Sequence, residues 1–239
     1  MSRTFLELCS DVVSDLGVAG GTLPSVIGAS LNNEQRSIVR WVKKADLFVQ
    51  LLWADWRFLW YQDNAFTVLA GSNVGQPSLP AWAQNVRNYD RTSMYQGYGT
   101  GMSRGVRFME WGDMVRMYLS RPLTAAVVPS FWSINPQGQV MFSQIVLTDT
   151  VFNVSYHVSG KPMAANTDTS PIPTDFDAII VERAKIFYAE REAASEILSG
   201  STAEYTDLLD KMQAYCLPNN IAGRTLQNNP STMPSAYVE

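Results

Sequence analysis

The sequence predicts an α+β protein: a helical bundle of about four main helices with a β-rich insertion and an extended C-terminal arm. Three observations predict it. Apolar residues recur at helical spacing toward both ends of the chain. Between them, short β-branched and aromatic runs are divided by Gly, Pro and Asn, which is strand texture. From Pro218 onward, three prolines and scattered apolar residues give no core of their own. The expected division is a helical body over 1–62 and 173–217, a β-rich insertion over 63–172 and an arm over 218–239.

Composition narrows the function classes. The 239 residues are 46% hydrophobic and 17% charged, enough apolar material for a sizeable core and far from the profile of disorder. A net charge of −4 lacks the basic excess that binding to a phosphate backbone demands. Cys9 and Cys216 are the only cysteines and make no metal-binding pair, so a reducing compartment is expected. The N-terminal residues carry no apolar signal region, and the most apolar stretch, Leu47 to Ala54, is far short of the ~20 residues of a membrane span. A soluble chain is expected.

Taken in order, Thr4 and Glu7 form a capping-box pair, and Phe5, Leu8, Val12 and Leu16 continue a first helix to Gly17. Residues 18–30 read as a loop. Asn32 or Asn33 caps a second helix whose stripe of Ile38, Trp41, Ala45, Phe48, Leu52 and Trp56 faces inward; Trp53, Trp56 and Trp60 would enrich its buried half. In the insertion, Phe131 to Phe142 reads as a hairpin turning at Pro136-Gln137-Gly138. Val151 to Val158 alternates like a strand with one wet face, and Met109 to Leu119 suits a short helix. Thr174 with Asp177 starts a helix reaching about Leu198, and Ser201 with Glu204 starts another ending before Pro218.

No residue pattern carries an enzyme signature. His157 is the only histidine, so a triad or a His-containing zinc site would have to use it; its place on the polar face of an alternating strand favours a solvated side chain. Glu190, Glu192 and Glu196 with Asp207 and Asp210 supply carboxylates for acid-base work, yet Arg183, Lys185 and Arg191 interleave with them as on a salt-bridged helix surface. The glycines between Tyr95 and Gly105 lack the strand-loop-helix setting and Gly-Lys-Ser/Thr ending of a phosphate loop, and read as a surface docking loop with Arg87, Arg91, Arg104 and Arg107 nearby. Trp82, Trp111 and Trp132 leave open a second reading, a glycan- or partner-binding module using exposed aromatics of the insertion. No cofactor or metal is expected.

The phrases WADWRFLW, LPAW, MEWGDM, FWSINPQGQVMF, IPTDFDAIIVERAKIFYAE and YTDLLDKMQAYCLPN follow one another across nearly the whole chain. In that order they resemble the adaptor proteins of tailed bacteriophages. The resemblance implies a non-enzymatic virion protein at the head-to-tail junction, assembled in the host bacterial cytoplasm. It implies a ring, a dodecamer, between the portal protein and a tail or nozzle protein, with DNA passing through without specific binding. On that footing Ile221, Arg224, Leu226, Met233 and Tyr237 of the arm are expected to contact the portal or a neighbouring copy, and Tyr95, Tyr98 and Arg104 the tail side. Glu190, Glu196, Asp207 and Asp210 are expected to line the channel. The C-terminal helical pair supports this, because its nine acids outnumber Arg183, Lys185 and Arg191, and a negative wall offers phosphates no cationic partner.

Overall fold

The computed structural model describes residues 3–17, 31–53, 55–97 and 103–217. The predicted loop over 18–30 and the arm over 218–239, with its anchors, lie outside the described residues.

Helix α1 (Phe5–Asp15) opens on the predicted capping box: the Glu7 N–H bonds the Thr4 hydroxyl and the Thr4 N–H bonds the Glu7 carboxylate. The Thr4 N–H and hydroxyl, both donating to the Glu7 carboxylate, hold that carboxyl below its usual range. Helix α2 (Asn33–Leu51) has its own box between Asn32 and Gln35. It buries Ile38, Trp41, Val42, Ala45 and Val49. It stops at Leu51, well short of Trp60. A 3₁₀ turn over Arg57–Leu59 leads into strand β1 (Trp60–Val68), and the Trp56 indole N–H folds back to cap the Val49 carbonyl at 3.1 Å.

Short strands follow: β2 (Val74–Gly75), β3 (Ala83–Tyr89), β4 (Tyr95–Gly97), β5 (Ser103–Gly105) and β6 (Arg107–Phe108). Helix α3 (Trp111–Met114) continues into a π turn over Val115–Leu119, within the stretch expected to be helical. Then come β7 (Ala125–Ala126), β8 (Phe131–Ile134), β9 (Val140–Phe142), β10 (Ile145–Val146) and β11 (Thr150–Gly160). The hairpin of β8 and β9 turns where predicted. Gly138 takes φ +80°, and Asn135 Oδ1 accepts from the N–H groups of Gln137 and Gln139.

Strand β11 organises the largest sheet, pairing antiparallel with β1, β3 and β4, while β5 extends the sheet from β4. A second sheet runs β2-β9-β8-β6, and β7 pairs parallel with β10. Gly75 lies so close to the Phe66 ring that a Cβ there would strike it.

Helix α4 (Ala178–Glu192) ends at Ala193, which takes a left-handed conformation at φ 53°, and α5 (Ser195–Cys216) follows at once. The break therefore lies earlier than the expected Leu198. Neither predicted capping box forms: Thr174 sits in a 3₁₀ turn ahead of α4, and Ser201 is buried within α5.

A bundle of about four helices with a β-rich insertion is overturned as the fold class. Among the described residues five α-helices accompany eleven strands in three sheets, a mixed α+β architecture. The physical reason lies in the 11-residue β11, which joins three strand partners into a body with its own core of Trp132, Phe142, Phe152, Val154, Tyr156 and neighbours. A separate core gathers residues from α1, α2, α4 and α5. Trp82 packs against both.

Candidate interaction surfaces

Strands β4 and β5 form a hairpin at one edge of the main sheet, with Tyr95 opposite Gly105 and Gln96 opposite Arg104. Met94 and Val106 anchor its base in the core, and the Val106 N–H bonds the Met94 carbonyl at 2.9 Å. Tyr95 is half-buried and pairs across to Asn153 of β11, whereas Arg104 is exposed. Tyr98 lies outside the described residues. The four arginines expected to make this region positive divide in two. Arg87 donates to the Trp53 carbonyl at 3.3 Å, and Arg91 pairs with Glu110 while stacking over Phe108 at 4.5 Å. Arg104 and Arg107 are exposed and make no ion pair among the described residues.

Helices α4 and α5 carry the acids. Glu190, Glu192, Glu196, Glu204, Asp207 and Asp210 are all exposed. Glu190 and Glu196 flank the break at Ala193, while Asp207 and Asp210 lie along one face of α5, on a shallow groove with Ser195, Ser199, Thr202 and Thr206. The structure thus groups the four proposed channel residues as two pairs. It also reduces the acid excess. Asp177 is buried beside Arg3 at 3.5 Å, Glu182 is buried on Lys185 at 2.8 Å, and Lys211, a fourth base of this segment, pairs with Asp207. The exposed acids are what a partner would meet.

The lone histidine and the two cysteines are partly or wholly enclosed. His157 is half-buried under the Trp60 ring, centroids 4.6 Å apart, rather than fully wet, and burial lowers its pKa. Burial pushes the Cys9 thiol up to about 12 and also raises Cys216, so neither is a ready nucleophile. Among the described residues no group of three His, Cys, Asp or Glu side chains could hold a metal ion. Trp132 is wholly buried, edge-on to Phe108 and Tyr89, which removes it from any glycan platform; Trp82 and Trp111 are half-buried.

One site escaped the sequence. A pocket of about 240 Å³ between α2 and the segment after β11 is lined by Asp46, Ala81, Trp82, Lys161, Met163, Thr167, Asp168, Thr169 and Pro171. Asp46 is 1% exposed and accepts a hydrogen bond from Ser170 Oγ at 2.6 Å. Burial pushes its carboxyl up to about 6, against the opposing pull of Ser170 and Gln50. Asp168 lies at the rim, held below the usual range by the N–H groups of Ala164 and Ala165. The available signal was an acid four residues from Val42 and three from Val49, on an apolar helix face.

The fold is mixed α+β with exposed acids along α4 and α5, and among the described residues no helix is long and apolar enough to cross a membrane. Residues 3–229 match the family model described as SU10 adaptor protein, and the chain belongs to that family. It is thereby a structural adaptor protein of bacteriophage. No match to the chain was found among curated proteins.

Proposed function

We propose that the protein is one subunit of a ring, a dodecamer, that joins the portal of the phage head to the tail or nozzle protein and continues the DNA channel. The observation that carries this reading is the family match over residues 3–229, which takes in both cores and continues past α5 into the arm. In this reading the role is structural rather than catalytic. The subunit is assembled in the host bacterial cytoplasm and resides in the virion at the head-to-tail junction. Ile221, Arg224, Leu226, Met233 and Tyr237 engage the portal or a neighbouring copy. A chain segment with isolated apolar anchors gains its order on a partner, where many small contacts offset the entropy lost. Tyr95, Tyr98 and Arg104 face the tail side.

Exposed Glu190, Glu196, Asp207 and Asp210 support a channel wall along which DNA slides, since carboxylates release no phosphate counterions. Native mass spectrometry of the purified protein, alone and with its candidate portal, tests the assignment. The expected result is a subunit that joins the portal ring in a one-to-one ratio and fails to do so after deletion of residues 219–239. A full chain that ignores the portal overturns the adaptor ring, and a truncated chain that still assembles overturns the arm. Charge reversal of the four acids should impede DNA ejection, and unchanged ejection would remove them from the channel.

A further inference from the structure

The geometry points to the pocket floored by Asp46 as a receptor for a compact organic cation, an aliphatic ammonium or guanidinium group on a short apolar stem. The site stands independently of the ring.

Charge comes first. Asp46 is among the most buried acids of the chain, and no Lys or Arg lies within ion-pair distance of it among the described residues. The other two acids buried nearly as deeply, Asp177 and Glu182, each have a cation: Arg3 and Lys185. A carboxylate withdrawn from water without a counter-charge is costly, and a cation entering its pocket removes that cost. Ser170 donates to one oxygen while its own Oγ accepts the Ile172 N–H at 3.2 Å, so the serine proton is committed to Asp46. With Gln50 as the other neighbour, a carboxylate with about four acceptor positions retains capacity for an incoming donor.

Shape and lining agree with that charge. Trp82, Met163, Ala81 and Pro171 supply apolar wall for a stem, and an indole face attracts a cation. Thr167, Thr169 and the anionic Asp168 stand at the same opening. Two carboxylates against Lys161 leave the lining net negative, which selects against anions. At about 240 Å³ the pocket is below the ~300–1,000 Å³ of drug-sized sites and suits one side-chain-sized group. Lys161 is the internal competitor, because it is exposed on a flexible stem at the same pocket.

The test uses the full chain with carbon-13-labelled aspartate, following the Asp46 carboxyl resonance and, in both the parent and the Asp46→Asn chain, the Asp168 carboxyl resonance of the same pocket, at pH 7.5 and constant ionic strength. Each chain is titrated with n-butylammonium chloride, with sodium chloride as control. The expected result is a saturable change, binding at least about tenfold weaker in Asp46→Asn, and an Asp46 titration midpoint at least about one pH unit lower with butylammonium bound. A peptide, acetyl-Gly-Lys-Gly-amide, separates the sources: binding as tight as butylammonium identifies a lysine of another protein chain, and binding of butylammonium alone identifies a free amine. No saturable change beyond the sodium chloride control overturns the proposal, and the wild-type resonance decides this whether or not the variant folds. Equal affinity in Asp46→Asn also overturns it. So does a Lys161→Met chain whose Asp46 midpoint rises without any ligand, because Lys161 would then already fill the site.

Discussion

The helical core and the β core draw on the chain in opposite ways. The helical core collects Phe5, Leu8, Val12, Ile38, Val42, Val49 and Trp56 from the first sixty residues and Ile179, Ala184, Phe187, Met212 and Cys216 from the last stretch. The buried residues of the β core fall between Phe66 and Val158, and one strand, β11, contributes Phe152, Val154, Tyr156 and Val158. The first is closed by bringing distant segments together, each with its own amphipathic pattern. The second depends on a single strand that pairs on both sides. Trp82 packs against both, and Asp46, bonded to Ser170, shares a pocket with it at that junction. A fault in the β core should therefore stay local, whereas a fault at the junction should reach both.

The hardest test of that contrast is Trp132→Ala. Trp132 is fully buried, lies edge-on to Tyr89 and Phe108, and belongs to the β core alone. Its removal should cost about 3–5 kcal/mol, the range for a large aromatic truncated in a packed interior. Hydrogen exchange should show lost protection in β8, β9 and β11, with α2 and α4 still protected. Equal loss in both regions would mean that the two cores unfold as one unit and would erase the distinction.

Asp46→Asn probes the junction at a somewhat smaller scale and with the opposite sign. The folded carboxyl titrates at about 6, above its ordinary value of 3.8, so folding favours the neutral acid. Below about pH 4 the group is protonated in both states and carries no penalty; through pH 4 to 6 the folded state loses relative stability, and above pH 6 the penalty is complete. Asparagine retains an acceptor for Ser170 without the charge. The variant should be more stable than the parent by up to about 3 kcal/mol at pH 7.5, with the difference vanishing near pH 4. Denaturant melts at the two pH values check it, and a variant destabilised at pH 7.5 would show that the carboxylate, not the acid, fits the site.

Those two positions also show what the sequence could reveal. The capping box at Thr4, a cap at Asn32 or Asn33, the turn at Gly138 and the alternation around Phe152 are local signals, and the structure has elements at each of them. What failed depended on distance along the chain. Trp53 to Trp60 is apolar enough to prolong a helix, but β11 offers Trp60 and Tyr61 strand partners almost one hundred residues later, and pairing outweighs propensity. Ser201 and Glu204 spell a cap, but α5 has already started at Ser195 because Ala193 takes the left-handed turn. Among the candidate surfaces, exposure of Glu190, Glu196, Asp207, Asp210 and Arg104 accords with their being charged. The burial of Trp132 and the Asp46 pocket follow from tertiary packing, to which single-residue character is blind.

The smallest effect is expected on the outer face of α5, where neither core is touched. Lys211 and Asp207 pair one helical turn apart with about 60% of each side chain exposed. Water screens such a pair and side-chain entropy opposes it, so Lys211→Met should change stability by less than about 0.5 kcal/mol. In a chain of this size that is a melting shift of about 1–2 °C at most. The same substitution leaves Asp207 without its cation beside Asp210 and makes this face more negative. A partner or polyanion that meets α5 should respond to that change even though folding does not, and the salt dependence of assembly on the portal is the readout. A melting shift several times larger would place Lys211 in the stabilising framework of the helical core and move the boundary between core and docking face inward.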